Sequence, residues 1–228
     1  MDLDLTSEQD LLRQTSERFI ESQLPLTGVR QYIESNAGLE PRYLTAAAEL
    51  GWFAALAPED RGGGSVSGLG VLDAAIFAEL RGRRLQPGAF TDTNVVVAAL
   101  AVDGSDEHCA TALPALLAGE ASAGWAIADP AGDWSGERGL DVTFTGGGAR
   151  LNGTKAFVCD AHTASWLLVT AGTAEGPTQF LLTADHPGVT IEPLVSFDLT
   201  RRLCEIRFDD VAVGAASIVG TRGSAADT

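Results

Sequence analysis

The chain has 228 residues, of which 45% are hydrophobic and 20% charged, enough apolar side chain for one or two packed cores and too much for a disordered polymer. Its 15 lysines and arginines stand against 31 aspartates and glutamates, a formal charge of −16, so the surface repels phosphate backbones and anionic headgroups and no nucleic-acid partner is expected. No apolar run approaches the roughly 20 residues that span a bilayer, the acidic start Met1-Asp2-Leu3-Asp4-Leu5 lacks a signal pattern, and the widely spaced Cys109, Cys159 and Cys204 read as reduced thiols, so a cytoplasmic protein is expected.

Thr6 has Gln9 three residues on, the capping-box spacing, and opens a helix in which Leu11, Leu12, Thr15, Phe19 and Ile20 fall near helical spacing and which ends before Pro25. Pro41 starts a second helix through Leu44, Ala47, Ala48 and Leu50, closed by Gly51. Gly62-Gly63-Gly64 lacks both the preceding strand and the following Lys-Ser/Thr of a nucleotide loop and reads as a turn. A long helix from Leu69 through Leu72, Ile76 and Leu80 follows. Two more helices are expected over 94–102 and 106–118, the second capped by Ser105, favoured by Asp106 and Glu107 at its positive end and interrupted by Pro114. Arg81, Arg83, Arg84, Arg201 and Arg202 are the dense basic spots. They read as solvated surface arginines, or as the local help that an anionic ligand would need on so acidic a chain.

From Ser122 the period drops to two. Leu140, Val142 and Phe144 alternate with Asp141, Thr143 and Thr145, Gly146-Gly147-Gly148 turns, and strands are expected around 149–159, 165–171, 178–184, 188–194 and 203–213. Asn152-Gly153 reads as the turn of a tight hairpin, since both residues tolerate positive φ. His162 has no companions at ligand spacing and reads as a turn histidine, so no metal site is indicated. The expected fold class is α+β: an all-helical domain over 1–120, a small antiparallel β-barrel or sandwich domain over 121–220, and a small, polar, linker-like tail over 221–228.

Two stretches of the β half carry a family likeness, Gly124-Trp125-Ala126-Ile127-Ala128-Asp129-Pro130-Ala131-Gly132-Asp133 and Leu151-Asn152-Gly153-Thr154-Lys155-Ala156-Phe157-Val158-Cys159-Asp160. Ala48-Glu49-Leu50-Gly51-Trp52, Pro58-Glu59-Asp60-Arg61-Gly62-Gly63, Gly104-Ser105-Asp106-Glu107 with Leu113-Pro114 and Gly119-Glu120, and Phe208-Asp209-Asp210-Val211-Ala212-Val213 fall in the same family's order. Together they resemble the acyl-CoA dehydrogenase family, whose middle domain carries a strand ending in Thr-Glu-Pro-x-Ala-Gly-Ser and another reading Leu-Asn-Gly-x-Lys-x-Trp-Ile-Thr. The likeness covers nearly the whole chain.

The resemblance implies FAD as cofactor. Residue by residue, it puts Trp125, Ile127 and Ala128 on the first flavin-facing strand and Phe157, Val158 and Cys159 on the second, with Asp133 and Trp134 in the region of a serine that contacts substrate. Ala128 stands where a Thr hydroxyl would meet the ring, and Cys159 where a Thr or Ser would; a thiol is the weaker donor. From the residues alone, Phe157 reads equally as a core aromatic and Cys159 as a small buried hydrophobe.

The implied reaction is α,β-desaturation of an acyl-CoA thioester. A carboxylate removes the α-proton, the β-hydrogen leaves as hydride to flavin N5, and an electron-transfer flavoprotein or similar acceptor takes the electrons. In the family that carboxylate is a Glu of a C-terminal helical bundle, which these residues do not contain, and so no catalytic residue is expected here. Three readings remain open. The chain is the helical and β part of such a dehydrogenase, truncated or short and inactive alone; or a weakly catalytic or non-catalytic subunit of a heteromeric one; or a flavin oxidase or monooxygenase on the same fold. A homo- or hetero-oligomer is implied in either of the first two.

Overall fold

The computed structural model describes residues 4–35 and 39–225, so the acidic start at Met1, Asp2 and Leu3 and the last tail residues Ala226, Asp227 and Thr228 lie outside the described residues. Helices come first: α1 (Ser7–Gln23), α2 (Leu26–Ser35), α3 (Pro41–Glu49), α4 (Gly70–Arg83), α5 (Phe90–Asp103), α6 (Asp106–Thr111) and α7 (Leu113–Leu117). The capping box at Thr6 forms, with Gln9 N donating to Thr6 Oγ1 at 3.3 Å and Thr6 N donating to Gln9 Oε1 at 3.1 Å. Helix α2 is an addition to the sequence reading: Pro25 ends one helix, and the chain turns directly into the next. Pro114 splits the expected 106–118 helix in two, because it sits in the first turn of α7, where its missing N–H costs nothing.

The helical core closes around Trp52, which is fully buried. Phe19, Phe77 and Phe90 stand 5.5, 6.0 and 6.1 Å from it between ring centroids, and its Nε1 donates to Ser16 Oγ at 3.2 Å, so the one polar atom of the ring has a partner.

The β half has eight strands: β1 (Ala123–Ala126), β2 (Leu140–Thr145), β3 (Gly148–Cys159), β4 (Trp166–Thr173), β5 (Gly176–Thr183), β6 (Val189–Pro193), β7 (Leu203–Gly214) and β8 (Ile218–Val219). They form two four-stranded sheets, ordered β1-β4-β5-β8 and β2-β3-β7-β6. Leu167, Val169, Phe180 and Leu182 of the first face Leu151, Ile206, Phe208 and Val211 of the second across an apolar interior. A separate apolar cluster joins Val96, Val97, Leu100, Leu113 and Leu116 to Leu168, Leu181 and Val219, so α5 and α7 pack on the outer face of the first sheet.

The expected antiparallel sandwich is found with one added feature, the parallel pairing of β1 with β4. The crossover that a parallel pair requires is supplied by residues 127–165, which carry the β2–β3 hairpin in the other sheet. One expectation needs correction: Asn152-Gly153 is not a hairpin turn but lies within β3, and the chain reverses at Gly146-Gly147 instead. Gly153 has φ of +131° at a register shift after Leu151, and a Cβ there would lie 2.2 Å from Gly139 O. The tolerance for unusual backbone is real, but it serves a β-bulge under close backbone approach.

The bulged strand holds a buried cation. Lys155 is fully buried, and its Nζ donates to Ile127 O at 2.7 Å, to Gly136 O at 3.3 Å and to Arg138 O, pinning the 127–138 connection onto β3. Burial pushes its ammonium down to about 8, against the pull of Asp129 and Asp133. Because the folded value lies below the 10.5 of an ordinary lysine, the unfolded chain holds more protons between those values and stability rises with pH there. Lys155→Met is expected to cost about 2–4 kcal/mol in urea unfolding at pH 7, by stranding three carbonyls, and to flatten the rise in stability from pH 8 upward.

Candidate functional site

A cleft of about 760 Å³ opens where α4 and the start of α5 face β1 and β3. Ala78, with Arg81 and Gly82 three and four residues on, puts one face of α4 on it, and Leu85 just beyond the helix end continues the lining. Trp125, Phe157 and Cys159 form the β wall, and Trp134 with the β6–β7 loop residues Ser196, Asp198, Thr200 and Arg201 forms the rim.

The backbone explains why these side chains reach the cleft. On β1 the neighbours Gly124 and Ala126 are buried while Trp125 is half-buried, and Trp125 Nε1 donates to Thr170 Oγ1 at 3.3 Å. On β3 a second register shift falls between Lys155 and Val158, and Phe157 inside it has φ of +60°. Alternation would have sent Phe157 to one side and Val158 to the other for the whole strand; the shift instead buries Lys155, Ala156 and Val158 and leaves Phe157 on the cleft. A bulky residue in that region costs about 1–2 kcal/mol, strain of the kind that gathers at binding sites.

One carboxylate ties this wall to the helices. Asp92, in the first turn of α5, accepts through Oδ2 from Trp125 N at 3.1 Å and from Cys159 N at 3.2 Å. Burial pushes its carboxyl up to about 6, although both N–H groups pull the other way. Cys159 Sγ donates to Asp160 Oδ2 at 3.3 Å. Burial raises this thiol, so it stays protonated at neutral pH and is no nucleophile.

The sequence-predicted residues divide. Trp125, Phe157, Cys159 and Trp134 come together around the cleft. Ala128 and Val158 are buried, with Val158 in the sandwich core, and Ile127 is half-buried; none of the three lines the cleft. Ala128 contributes only its carbonyl to a neighbour, accepting from Ala156 N at 2.9 Å. Asp133 is spent on its own turn, accepting from Ser135 N at 2.8 Å and pairing with Arg138 Nε at 3.2 Å.

The arginines depart from the surface reading at one position. Arg83 and Arg84 pair with Glu79, Glu17 and Glu21 at the surface, and Arg202 stacks 4.3 Å over the Tyr32 ring. Arg81 is buried, its guanidinium 5.0 Å from the Trp52 ring and 4.8 Å from that of Phe90. Asp92 and Lys155 were not singled out from sequence, and Arg81 was named there only as one of five basic residues. Lys155 left a trace, a lone cation in an apolar strand, whereas the partners of Asp92 lie 33 and 67 residues away and leave none. Among the described residues no three His, Cys, Asp or Glu side chains group to hold a metal, and no helix is long and apolar enough to cross a membrane.

The Asp92 bridge has a definite pH signature. Its folded value, about 6, exceeds the ordinary 3.8, so the stability that comes from its protonation is full below pH 3.8 and is lost as pH rises through 6. Asp92→Asn keeps an oxygen acceptor without the charge. Urea unfolding is expected to show the parent chain gaining stability from pH 8 to pH 5 by a margin that shrinks in Asp92→Asn, and Asp92→Ala, which strands both N–H groups, losing about 2–3 kcal/mol at either pH.

With this geometry in place, comparison with known proteins is informative. The model of the acyl-CoA dehydrogenase N-terminal domain matches residues 6–120. The acyl-CoA dehydrogenase FadE27 of Mycobacterium tuberculosis is 30% identical over 182 residues, 75% of this chain and 44% of its own length. The acryloyl-CoA reductase (NADH) of Anaerotignum propionicum is 26% identical over 235 residues, 98% of this chain and 58% of its own. In fold, butyryl-CoA dehydrogenase from Megasphaera elsdenii superposes with a TM-score of 0.84 at 24% identity, covering 99% of this chain and 61% of that one. The ChsE4-ChsE5 complex from Mycobacterium tuberculosis gives 0.85 at 24%, covering 97% and 59%. The chain thus spans less than two thirds of these relatives, and it belongs to the acyl-CoA dehydrogenase family.

Proposed function

We propose that this chain is the cofactor- and substrate-facing part of an FAD-dependent acyl-CoA dehydrogenase that desaturates an acyl thioester, with the general base supplied from outside these 228 residues. The observation that carries the reading is the cleft itself, which two aromatic side chains from separate strands, Trp125 and Phe157, line along a wall fixed by Asp92.

These residues fit a flavin in part. A flat ring finds apolar surface on Trp125 and Phe157, held there by strained backbone at Phe157, as expected of a preformed site. Its polar edge finds no side-chain hydroxyl at the two expected positions, because Ala128 has none and is buried, and the Cys159 thiol is turned onto Asp160. The N–H groups of Trp125 and Cys159 go to Asp92 and the Thr200 hydroxyl donates to Asp198 Oδ1 at 2.7 Å, so the rim side chain Arg201 is left to meet that edge. When bound, FAD supplies a hydride acceptor.

The chain's own contribution is to bind, orient and exclude water. Trp125, Phe157 and Trp134 wall the cleft with apolar surface, which strengthens any hydrogen bond made inside it. Asp92 holds the two strands at a fixed separation, so the wall does not yield when a ligand enters. Because Asp92 Oδ2 is committed to two backbone donors, we assign it to holding the wall and place α-proton removal on a carboxylate elsewhere. Electrons then pass to an electron-transfer flavoprotein or a similar acceptor.

A second reading, a subunit that works only within a hetero-oligomer, is favoured by the β6–β7 loop. Val195 and Phe197 stand fully exposed beside rim residues Ser196 and Asp198, as on a surface that another protein segment covers.

Titrating FAD into the chain while following tryptophan fluorescence tests the reading. Saturable quenching that weakens at least about tenfold in Trp125→Leu, a loss of one stacking contact, with no turnover of an acyl-CoA and an artificial acceptor unless a partner is added, is the expected result. Absence of quenching would remove the cofactor from this chain, and turnover by the chain alone would remove the need for an outside base.

A further inference from the structure

Four described residues other than glycine have left-handed backbone, Leu85 at φ +53°, Phe157 at +60°, and Asp160 and Asp210 at +50°. A short polar aspartate tolerates that region, whereas leucine and phenylalanine are strained in it. Both strained side chains line the cleft, Phe157 from the β wall and Leu85 from just beyond α4. The proposed function uses Phe157 and leaves Leu85 without a role.

Leu85 closes α4 in a Schellman motif: its own N–H donates to Gly82 O at 3.2 Å, and Gln86 N donates to Arg81 O at 2.8 Å. Glycine fills that position without strain. The leucine is 49% exposed, so little burial offsets its cost in the ligand-free chain. Strain of this kind points to a task for the side chain.

The surroundings indicate the task. Leu85 also lines a second hollow, of about 220 Å³, between the end of α1, the start of α2 and the end of α4. Ile20, Leu24, Pro25 and Leu26 make it mainly apolar. Its charged residues are paired, Arg84 with Glu17 and Glu21 at 2.7 and 2.6 Å, and Arg83 with Glu79 at 2.6 Å. Among the described residues no other lines both this hollow and the cleft. The two spaces adjoin there, because Gln86 on the cleft donates from Nε2 to Leu24 O on the hollow at 3.1 Å.

We propose that Leu85 is a length gate for the acyl group: its side chain divides the cleft from the hollow, so that short acyl chains end against it and long ones are turned out into water. With the side chain gone, cleft and hollow become one apolar path, and each further methylene of the ligand that enters it adds to binding. This deepens the acyl-thioester reading above and rests on it for the identity of the ligand, while the gate itself is a property of the two apolar spaces.

The test uses the whole chain without added flavin and follows the binding of hexanoyl-CoA and dodecanoyl-CoA by calorimetry, with free hexanoate and dodecanoate as probes that lack the CoA end. Leu85→Gly removes the side chain and relieves the backbone, so it is expected to fold. It is expected to raise the affinity for dodecanoyl-CoA relative to hexanoyl-CoA at least tenfold. Leu26→Asp puts a charge into the hollow at the exposed first position of α2, where a helix accepts an acid, and in the Leu85→Gly background it is expected to cancel that gain. A ratio that Leu85→Gly leaves unchanged, or a gain that survives Leu26→Asp, overturns the gate and leaves the thioester reading standing. A Leu85-dependent length preference among the free acids, with neither thioester bound, upholds the gate and overturns the thioester reading. No binding of any of the four probes overturns both.

Discussion

The geometry of the cleft depends on one carboxylate oxygen. Asp92 Oδ2 gathers the backbone N–H of Trp125 from β1 and that of Cys159 from β3. These strands belong to different sheets, and neither bonds the other directly. Without an acceptor between them, two donors would be stranded in a poorly solvated place and the aromatic wall would lose its fixed spacing. The position of Asp92 in the first turn of α5 adds a second fit, since a negative group is favoured at the positive end of a helix. The cost appears in the carboxyl itself, which burial holds near 6, so that it stays mostly ionised at neutral pH but takes up its proton far more readily than an ordinary aspartate.

A second buried ion acts in the same part of the molecule. Lys155 Nζ draws in carbonyls of Ile127, Gly136 and Arg138, and so fixes the connection that carries Trp134 to the rim. The cleft is therefore framed by an anion that collects N–H groups and a cation that collects C=O groups, both satisfied by backbone. Such partners have no side-chain identity to vary. That makes the scaffold tolerant of substitutions such as Ala128 and Cys159 at positions facing or backing the site. Arg81 does not follow this pattern, because part of its donor capacity is left open.

Much of the architecture was legible in the sequence, because period-2 and period-3.6 patterns respond to burial on one face, and burial is local in its effect on sequence. The strands from β2 to β7 and the α1 capping box follow from such patterns. What was not legible depended on contacts between distant residues. The parallel partner of β1 is set 43 residues downstream, where no periodicity speaks of it. Asn152-Gly153 signals permissive backbone, but only the approach of Gly139 decides that a bulge rather than a turn is made there. The basic run around Arg81 looks uniform, yet helical phase turns Arg81 inward and Arg83 and Arg84 outward. Of the residues named for the site, Trp125, Phe157, Cys159 and Trp134 share the cleft; Val158 falls behind it, where the bulge at Phe157 breaks the alternation of β3, and Ile127 and Ala128 fall behind it after the chain has left β1 at Ala126.

The central claim is that the wall built by β1 and β3 under Asp92 is where the flavin ring rests. Hydrogen exchange of the intact chain, read by peptide with and without FAD, addresses it most directly. The account predicts slowed exchange in the segments 124–134, 156–160 and 196–203, with the outer edge formed by β5 and β8 unchanged. Protection centred on the helices α1 to α3, or none in the two strand segments while FAD is bound, would contradict it.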